Sequence, residues 1–427
     1  MPIARAALVM LLAVGAALPT QAASSEGRDS PIAVHGFLLG IVSGRTTGEQ
    51  PAHGEGGDFV LGEERVRFDL SGATKSGAAL VLAKVDLFHD AIDNRLDVDL
   101  REAYAGYTKG PLDVQFGRQI ITWGVGDLFF ISDVFPKDWD SFFSGRPMEY
   151  LKLGVDGLRA RYSSDVVNGE FVAIPFFFTP DTLPSPDRFI FFDPFAAIPN
   201  QQEMKPASRL SNTELALRLY RQVWDFDVSL YAYRGFWRDP SVRVDKPVAP
   251  TTATRFFPAL SVYGASAQRG LFAGVLSLEG GYYDSRQDRS GNDPPIPNSQ
   301  WRLLAGYQRE LWEDFVAGVQ GYAELMADYG AYRHALPAGM PRQDEFRAVG
   351  SIRLTQLLDY QMWRLSVFAA YSPTDADYFL QPEASYKLTD QLSAAVGANI
   401  FGGQRDTTFF GQFEGDDNAF FRVRLDF

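Results

Sequence analysis

The stretch Ala419-Phe420-Phe421-Arg422-Val423-Arg424-Leu425-Asp426-Phe427 decides the fold. Ala419, Phe421, Val423, Leu425 and Phe427 alternate with Phe420, Arg422, Arg424 and Asp426, so the side-chain period is two. Successive side chains of a strand point to opposite faces, which gives this segment one apolar and one charged face. The same period recurs upstream. Val66, Phe68 and Leu70 lie opposite Glu63, Arg65, Arg67 and Asp69, and Leu96, Val98 and Leu100 lie opposite Asp97, Asp99 and Arg101. A wall between lipid and a wet interior needs this pattern, because a charge facing lipid at the bilayer midplane costs about 2–4 kcal/mol.

Working outward from the terminal segment, the periodicity predicts strands at 32–43, 59–71, 78–88, 95–108, 111–119, 154–163, 166–176, 209–222 and 225–237. The second half continues at 256–268, 271–284, 299–310, 314–328, 344–357, 361–372, 377–388, 391–401 and 419–427. That makes 18 strands, with 16 as the nearest alternative count. Every second joint is a compact turn: 72–77, 109–110, 164–165, 223–224, 269–270, 311–313, 358–360 and 389–390. The intervening joints include the long segments 44–58, 120–153, 177–208, 238–255, 285–298, 329–343 and 402–418. Short turns at one end and long loops at the other are the asymmetry of an antiparallel transmembrane barrel. The fold class expected is therefore all-β, a single closed barrel spanning 32–427.

The alternating strand that stops on Phe427 resembles the insertion signal of bacterial outer-membrane β-barrels, carried here by Phe421, Val423, Leu425 and Phe427. The resemblance implies handling by the barrel-assembly machinery and contact with outer-membrane lipid and lipopolysaccharide. The N-terminus fits that address. Arg5, the apolar run 6–18 and the small residues around Ala22 match a secretory signal peptide with cleavage near Ala22, leaving 23–31 as a short periplasmic segment. The apolar run is shorter than the roughly 20 residues of a membrane-spanning helix.

Composition narrows the function. The chain has 427 residues, no cysteine and a formal charge of −13. The absence of cysteine excludes a disulfide framework and thiolate chemistry, and the acidity argues against nucleic acid as a partner. Of the 40 basic residues, 32 are arginine. Many fall on the charged parity. Arg65, Arg67, Arg101, Arg159, Arg161, Arg218, Arg302, Arg347, Arg353, Arg364, Arg422 and Arg424, with Asp97 and Asp99, are expected to form a charge ladder on the lumen face. Arginines there either make a cationic track for anions or fill the lumen by pairing with carboxylates.

The joint 120–153 carries Trp123, Phe129, Phe130, Phe135 and Trp139, which need burial that a wide barrel interior offers. Phe116-Gly117-Arg118-Gln119 followed by Trp123-Gly124 is similar to a pattern in large porin-like families, including 18-stranded substrate-specific channels. In general outer-membrane porins the loop between the fifth and sixth strands makes the constriction. The resemblance implies that 120–153 folds inward and that Arg118, Asp127, Asp133 and Lys137 are candidates for the narrowing. Gly117-Arg118 also has a structural reading, as a bulge glycine with an arginine capping loop carbonyls.

The joint 177–208 interleaves Phe177, Phe178, Phe189, Ile190, Phe191, Phe192 and Phe195 with prolines, as a plug, a greasy patch or a protein contact would. His89 beside Asp90 has no nucleophile motif with it, so no catalytic site is expected. Asp90 with Asp93, and Glu414 with Asp416 and Asp417, read as solvated acidic loop tips rather than a metal site. The expectation is a passive channel for small polar, possibly anionic, solutes that needs no cofactor, working as a monomer or homo-oligomer. The alternatives are a closed barrel acting as scaffold or receptor for a secreted or periplasmic partner, and a channel for hydrophobic compounds.

Overall fold

The computed structural model describes residues 32–51, 57–178 and 187–427. The expected leader 1–22 and the segment 23–31 lie outside them. The first strands are β1 (Ile32–Arg45), β2 (Phe59–Ala73), β3 (Ala79–Asp90), β4 (Arg95–Lys109), β5 (Leu112–Ile120), β6 (Gly154–Tyr162) and β7 (Asn168–Ile174). There follow β8 (Asn200–Met204), β9 (Glu214–Val223), β10 (Phe226–Phe236), β11 (Ser241–Val244), β12 (Thr252–Phe256), β13 (Ala259–Leu271) and β14 (Gly274–Ser285). The last are β15 (Gln300–Trp312), β16 (Phe315–Met326), β17 (Phe346–Leu358), β18 (Trp363–Ser372), β19 (Asp377–Lys387), β20 (Leu392–Gly403) and β21 (Asn418–Asp426).

Eighteen of these form one sheet in which sequence neighbours pair antiparallel, and β1 pairs with β21 to close the ring. The closure is completed by Phe427, whose backbone exchanges two 2.9 Å hydrogen bonds with Gly36. Eighteen strands, not 16, is the count. β8, β11 and β12 are not part of the wall. They make a separate small sheet among the loops, with β8 parallel to β12, that the sequence reading did not anticipate. The strand expected at 209–222 begins only at Glu214, because Leu210–Asn212 forms a 3₁₀ turn instead.

Side-chain alternation sorts the wall into two faces. Leu96, Val98, Phe116, Leu217, Leu230, Leu303, Val319, Val396 and Phe421 are exposed on the outside, while Arg65, Arg67, Asp86, Glu170 and Glu279 on the other parity are buried. An apolar surface running round the whole ring belongs in lipid, since a soluble monomer rarely exposes a continuous patch of this kind. The chain is thus an all-β transmembrane barrel. Among the described residues no helix is long and apolar enough to cross a membrane.

The short turns hold the register. Trp224 and Asp225 both adopt positive φ, 47° and 65°, as do Phe272 and Ala273 at 49° and 58°. Two consecutive left-handed residues make the two-residue hairpin turn whose twist matches that of the strands. Register matters because a slip of one residue would turn every inward charge toward lipid. One irregularity is built in. The β3–β4 ladder shifts at Lys84/Val85, where Glu102 faces Lys84 and Leu100 faces Val85. The bulge brings adjacent Arg101 and Glu102 both to the inner side, where Glu102 pairs with Lys84 at 2.7 Å and Arg101 reaches the carbonyls of Glu149 and Lys152 at 2.8 Å.

Candidate lumen site

The connection from β5 to β6 touches inward positions of the wall in turn. The Trp123 indole donates to Glu170 on β7 at 3.1 Å. Glu279 on β14 accepts from the backbone N–H of Val125 at 2.8 Å and of Ser132 at 2.7 Å. The N–H of Asp127 donates to Gln320 on β16 at 3.1 Å, and its carboxylate pairs with Arg353 on β17. Tyr283 on β14 donates to the Ile131 carbonyl at 2.6 Å.

The segment then forms the short helix Trp139–Phe143, capped by Asp138, whose carboxylate accepts from the N–H of Ser141 at 2.8 Å. A side-chain acceptor at this position satisfies one of the free amides of a helix start. The carbonyl of Phe143 accepts from Asn399 on β20 at 2.8 Å and Asn418 on β21 at 3.0 Å, and that of Gly145 accepts from Arg422 at 2.9 Å. Arg146 pairs with Glu63 on β2 at 2.8 Å. Tyr150 donates to Asp86 on β3 at 3.0 Å and accepts from Arg67 at 2.9 Å, while Glu149 pairs with Arg424 at 2.9 Å. Apolar contacts accompany these bonds. Phe142 and Phe143 pack on Phe379, Phe401 and Phe413, and Phe129 stacks on Tyr322 at 5.2 Å between ring centres.

The arginines of the charged parity carry partners except Arg364, which is exposed and has none among the described residues. Arg65 binds Glu63 at 2.7 Å and Asp86 at 2.5 Å, and Arg67 binds Asp86. Arg159 binds Glu170 at 2.8 Å and Arg161 binds Asp113 at 2.9 Å. Arg302 lies 3.5 Å from Glu324, and Arg347 lies 2.6 Å from Asp375. Arg422 binds Glu383 at 2.5 Å, and Arg424 also meets Asp426 at 2.8 Å. Asp99 sits 3.6 Å from Arg101, and Asp97 sits 3.5 Å from Arg95. Arg218 instead donates to the Ser229 hydroxyl at 3.1 Å. The ladder is a lattice of opposite charges more than a bare cationic track.

Of the four residues expected at a narrowing, Arg118 is placed otherwise, while Asp127, Asp133 and Lys137 lie in the connection that contacts the inward positions of the wall. Arg118 shares its parity with Phe116, which is 69% exposed on the lipid side, and pairs in register with Asp156. Its guanidinium binds that carboxylate through two bonds, at 3.0 and 2.7 Å, and the Leu100 carbonyl at 3.2 Å. It is on the outer wall, not in the lumen. The physical reason is the strict period of β5: an arginine two residues from an outward phenylalanine must also face outward. Gly117 between them has φ 128°, a conformation that favours glycine, but the β4–β5 and β5–β6 ladders run through it without a register shift, so no bulge forms there.

Asp133 and Lys137 form a buried pair at 2.9 Å, with the ammonium also donating to the carbonyl of Phe135 at 2.8 Å. Burial pushes the Lys137 ammonium down from the usual lysine range, against the pull of Asp133. With its donors used internally, Lys137 holds a turn. Asp127 alone of the four is open to solvent, beside Arg353.

Tyr150, Glu149, Arg146 and Glu279 were not foreseen. Glu279 had a signal, since it lies on the inward parity of β14 between Ser277 and Gly281. The acidic loop residues also engage arginines. Arg188 binds Asp90 at 2.6 Å and Asp93 at 2.7 Å, and Arg45 binds Asp416 at 2.5 Å. His89 bonds to Glu64 at 2.8 Å and Asn94 at 3.3 Å. In the joint 177–208, Phe189 is buried and Phe177 packs on Phe236 and Phe257; Pro180, Pro184 and Pro186 lie outside the described residues.

No protein-family model and no curated protein matches the chain. Its fold is similar to solved bacterial outer-membrane channel structures. Acinetobacter baumannii OccAB3 aligns with a TM-score of 0.55 at 10% identity, over 93% of this chain and 99% of that one. Pseudomonas aeruginosa OccK11 (OpdR) aligns with a TM-score of 0.51 at 10% identity, over 93% and 95%.

Proposed function

We propose that the chain is a passive channel of the bacterial outer membrane for small polar solutes, with 121–153 folded into the lumen as its narrowest part. The supporting observation is the circuit of contacts that this segment makes with inward positions on β2, β3, β7, β14, β16, β17, β20 and β21. A connection bonded to opposite walls reduces the free cross-section while the charged lattice keeps the rest wet. In this reading the long loops face the exterior, the short turns face the periplasm, and the apolar belt meets lipid and lipopolysaccharide. The solute gradient supplies the driving force, so no cofactor is called for. Because the arginines sit beside carboxylates, we expect weak selectivity between anions and cations.

Liposomes containing the folded chain should swell in isosmotic solutions of small neutral sugars, at rates that fall steeply as the sugar grows. Vesicles that fail to swell with even the smallest sugar would support a closed barrel acting as a scaffold or receptor, a reading favoured by the aromatic packing of Phe177 and Phe189 beneath the long loops.

A further inference from the structure

Above the floor laid by 128–143, on the long-loop side, lies a cavity of about 790 Å³. That is within the usual range for a small-molecule site, roughly 300–1,000 Å³. Its lining combines two chemistries. One side is aromatic: Trp139 is half-buried, with ring centres of Phe130 and Phe409 each 6.2 Å away, and Phe409 is 38% exposed. The other side is charged, with basic and acidic side chains in equal number around the cavity.

Several of these pairs are loose. Arg302 and Glu324 are 3.5 Å apart, Arg347 and Glu324 3.9 Å, and Arg405 and Asp375 3.8 Å, longer than a close charge-assisted hydrogen bond, whereas Arg347 meets Asp375 at 2.6 Å. Arg347 also lies 5.7 Å from the centre of the Phe409 ring, so charge and ring adjoin. The buried indole N–H of Trp237, which lines the same cavity, has no hydrogen-bond partner among the described residues.

We propose that this cavity is a binding vestibule for a small aromatic zwitterion, its ring against Trp139 and Phe409 and its two charges shared between Arg347 or Arg405 and Glu324 or Asp375. A ligand of one sign gains from half of these groups and is repelled by the other half. A zwitterion meets both, and a flat ring adds an aromatic contact that an aliphatic side chain lacks. The inference rests on the channel reading but concerns binding, which is measured separately from conduction.

The test is equilibrium dialysis of the folded full-length chain in detergent against L-tryptophan, L-alanine, tryptamine and indole-3-acetate, with planar-bilayer recordings in parallel. L-tryptophan should bind at least several-fold tighter than the other three, and Phe409→Ala should weaken it about tenfold, the scale of one aromatic contact. Arg405→Gln, at an exposed loop position, should weaken L-tryptophan and indole-3-acetate while sparing tryptamine. Equal retention of L-tryptophan and L-alanine, or tighter binding of indole-3-acetate than of L-tryptophan, overturns the proposal. Selective binding by a chain that does not conduct would uphold the vestibule and sink the channel.

Discussion

At Tyr150 the guanidiniums of Arg65, Arg67 and Arg101 lie 4.7, 5.3 and 4.9 Å from one ring centre, and the hydroxyl bridges Arg67 and Asp86. This residue fastens the end of the β5–β6 connection to the wall. Tyr150→Phe keeps the ring and removes the bridge, so it should cost about 1–3 kcal/mol in urea unfolding in detergent; an unchanged midpoint would show that the hydroxyl contributes nothing. Arg118 has the opposite character. Its side chain meets Asp156 on the outer wall, so Arg118→Ala should leave the reversal potential under a salt gradient where it was, whereas Arg353→Ala, which unmasks Asp127, should move it toward cation preference. A shift with Arg118→Ala and none with Arg353→Ala reverses these placements. The face of Arg118 was legible from Phe116, two residues before it; the Gly-Arg-Gln resemblance outweighed a parity that the strand could not escape. The partners of Tyr150 were not legible, because they lie on β2, β3 and β4 and nothing near Tyr150 in sequence marks them.

Among the elements, the strands were readable because each exposes one face to lipid and one to water, and the period of two follows directly. The small sheet of β8, β11 and β12 escaped for the converse reason. Asn200-Gln201-Gln202-Glu203-Met204 is exposed along its length and has no alternation to detect. Loop docking was equally hidden. The backbone N–H of Ile190 donates to both oxygens of Asp416, 2.9 and 3.0 Å away, and Arg45 holds the same carboxylate and the Arg188 carbonyl. Burial pushes the Asp416 carboxyl up to about 7, against the lowering effect of the Ile190 N–H and Arg45. An acid whose pKa is higher in the docked loop than in the undocked one favours docking when protonated. Docking is therefore strongest below the ordinary carboxyl pKa, near 3.8, and weakens as the pH rises through about 7. Protection of the Ile190 amide from hydrogen exchange, corrected for intrinsic rate, should fall roughly tenfold or more from pH 5 to pH 8, and Asp416→Asn should flatten that dependence. A protection that rises with pH would mean that the ionised pair with Arg45 dominates.

For the molecule as a whole, the ring closes only when its two ends meet, through β1, β21 and the paired backbones of Gly36 and Phe427. Removing Phe427 deletes both of those hydrogen bonds and the edge contact of its ring with Phe68, 6.3 Å away. The yield of heat-modifiable, folded barrel after refolding into detergent should drop several-fold; an undiminished yield would show that closure needs only the strands. The net charge of −13, which argues against a nucleic-acid partner, carries little information about the lumen, where acid and base alternate at contact distance. What matters for transport is whether the space beside 121–153 is continuous. Single-channel recording of the folded chain in planar bilayers tests this most directly. The structure predicts discrete, reproducible conductance steps that enlarge when 139–146, the part bonded to β2, β20 and β21, is replaced by a short glycine-serine link. Insertion without steps above background, in both the intact chain and that variant, would contradict it.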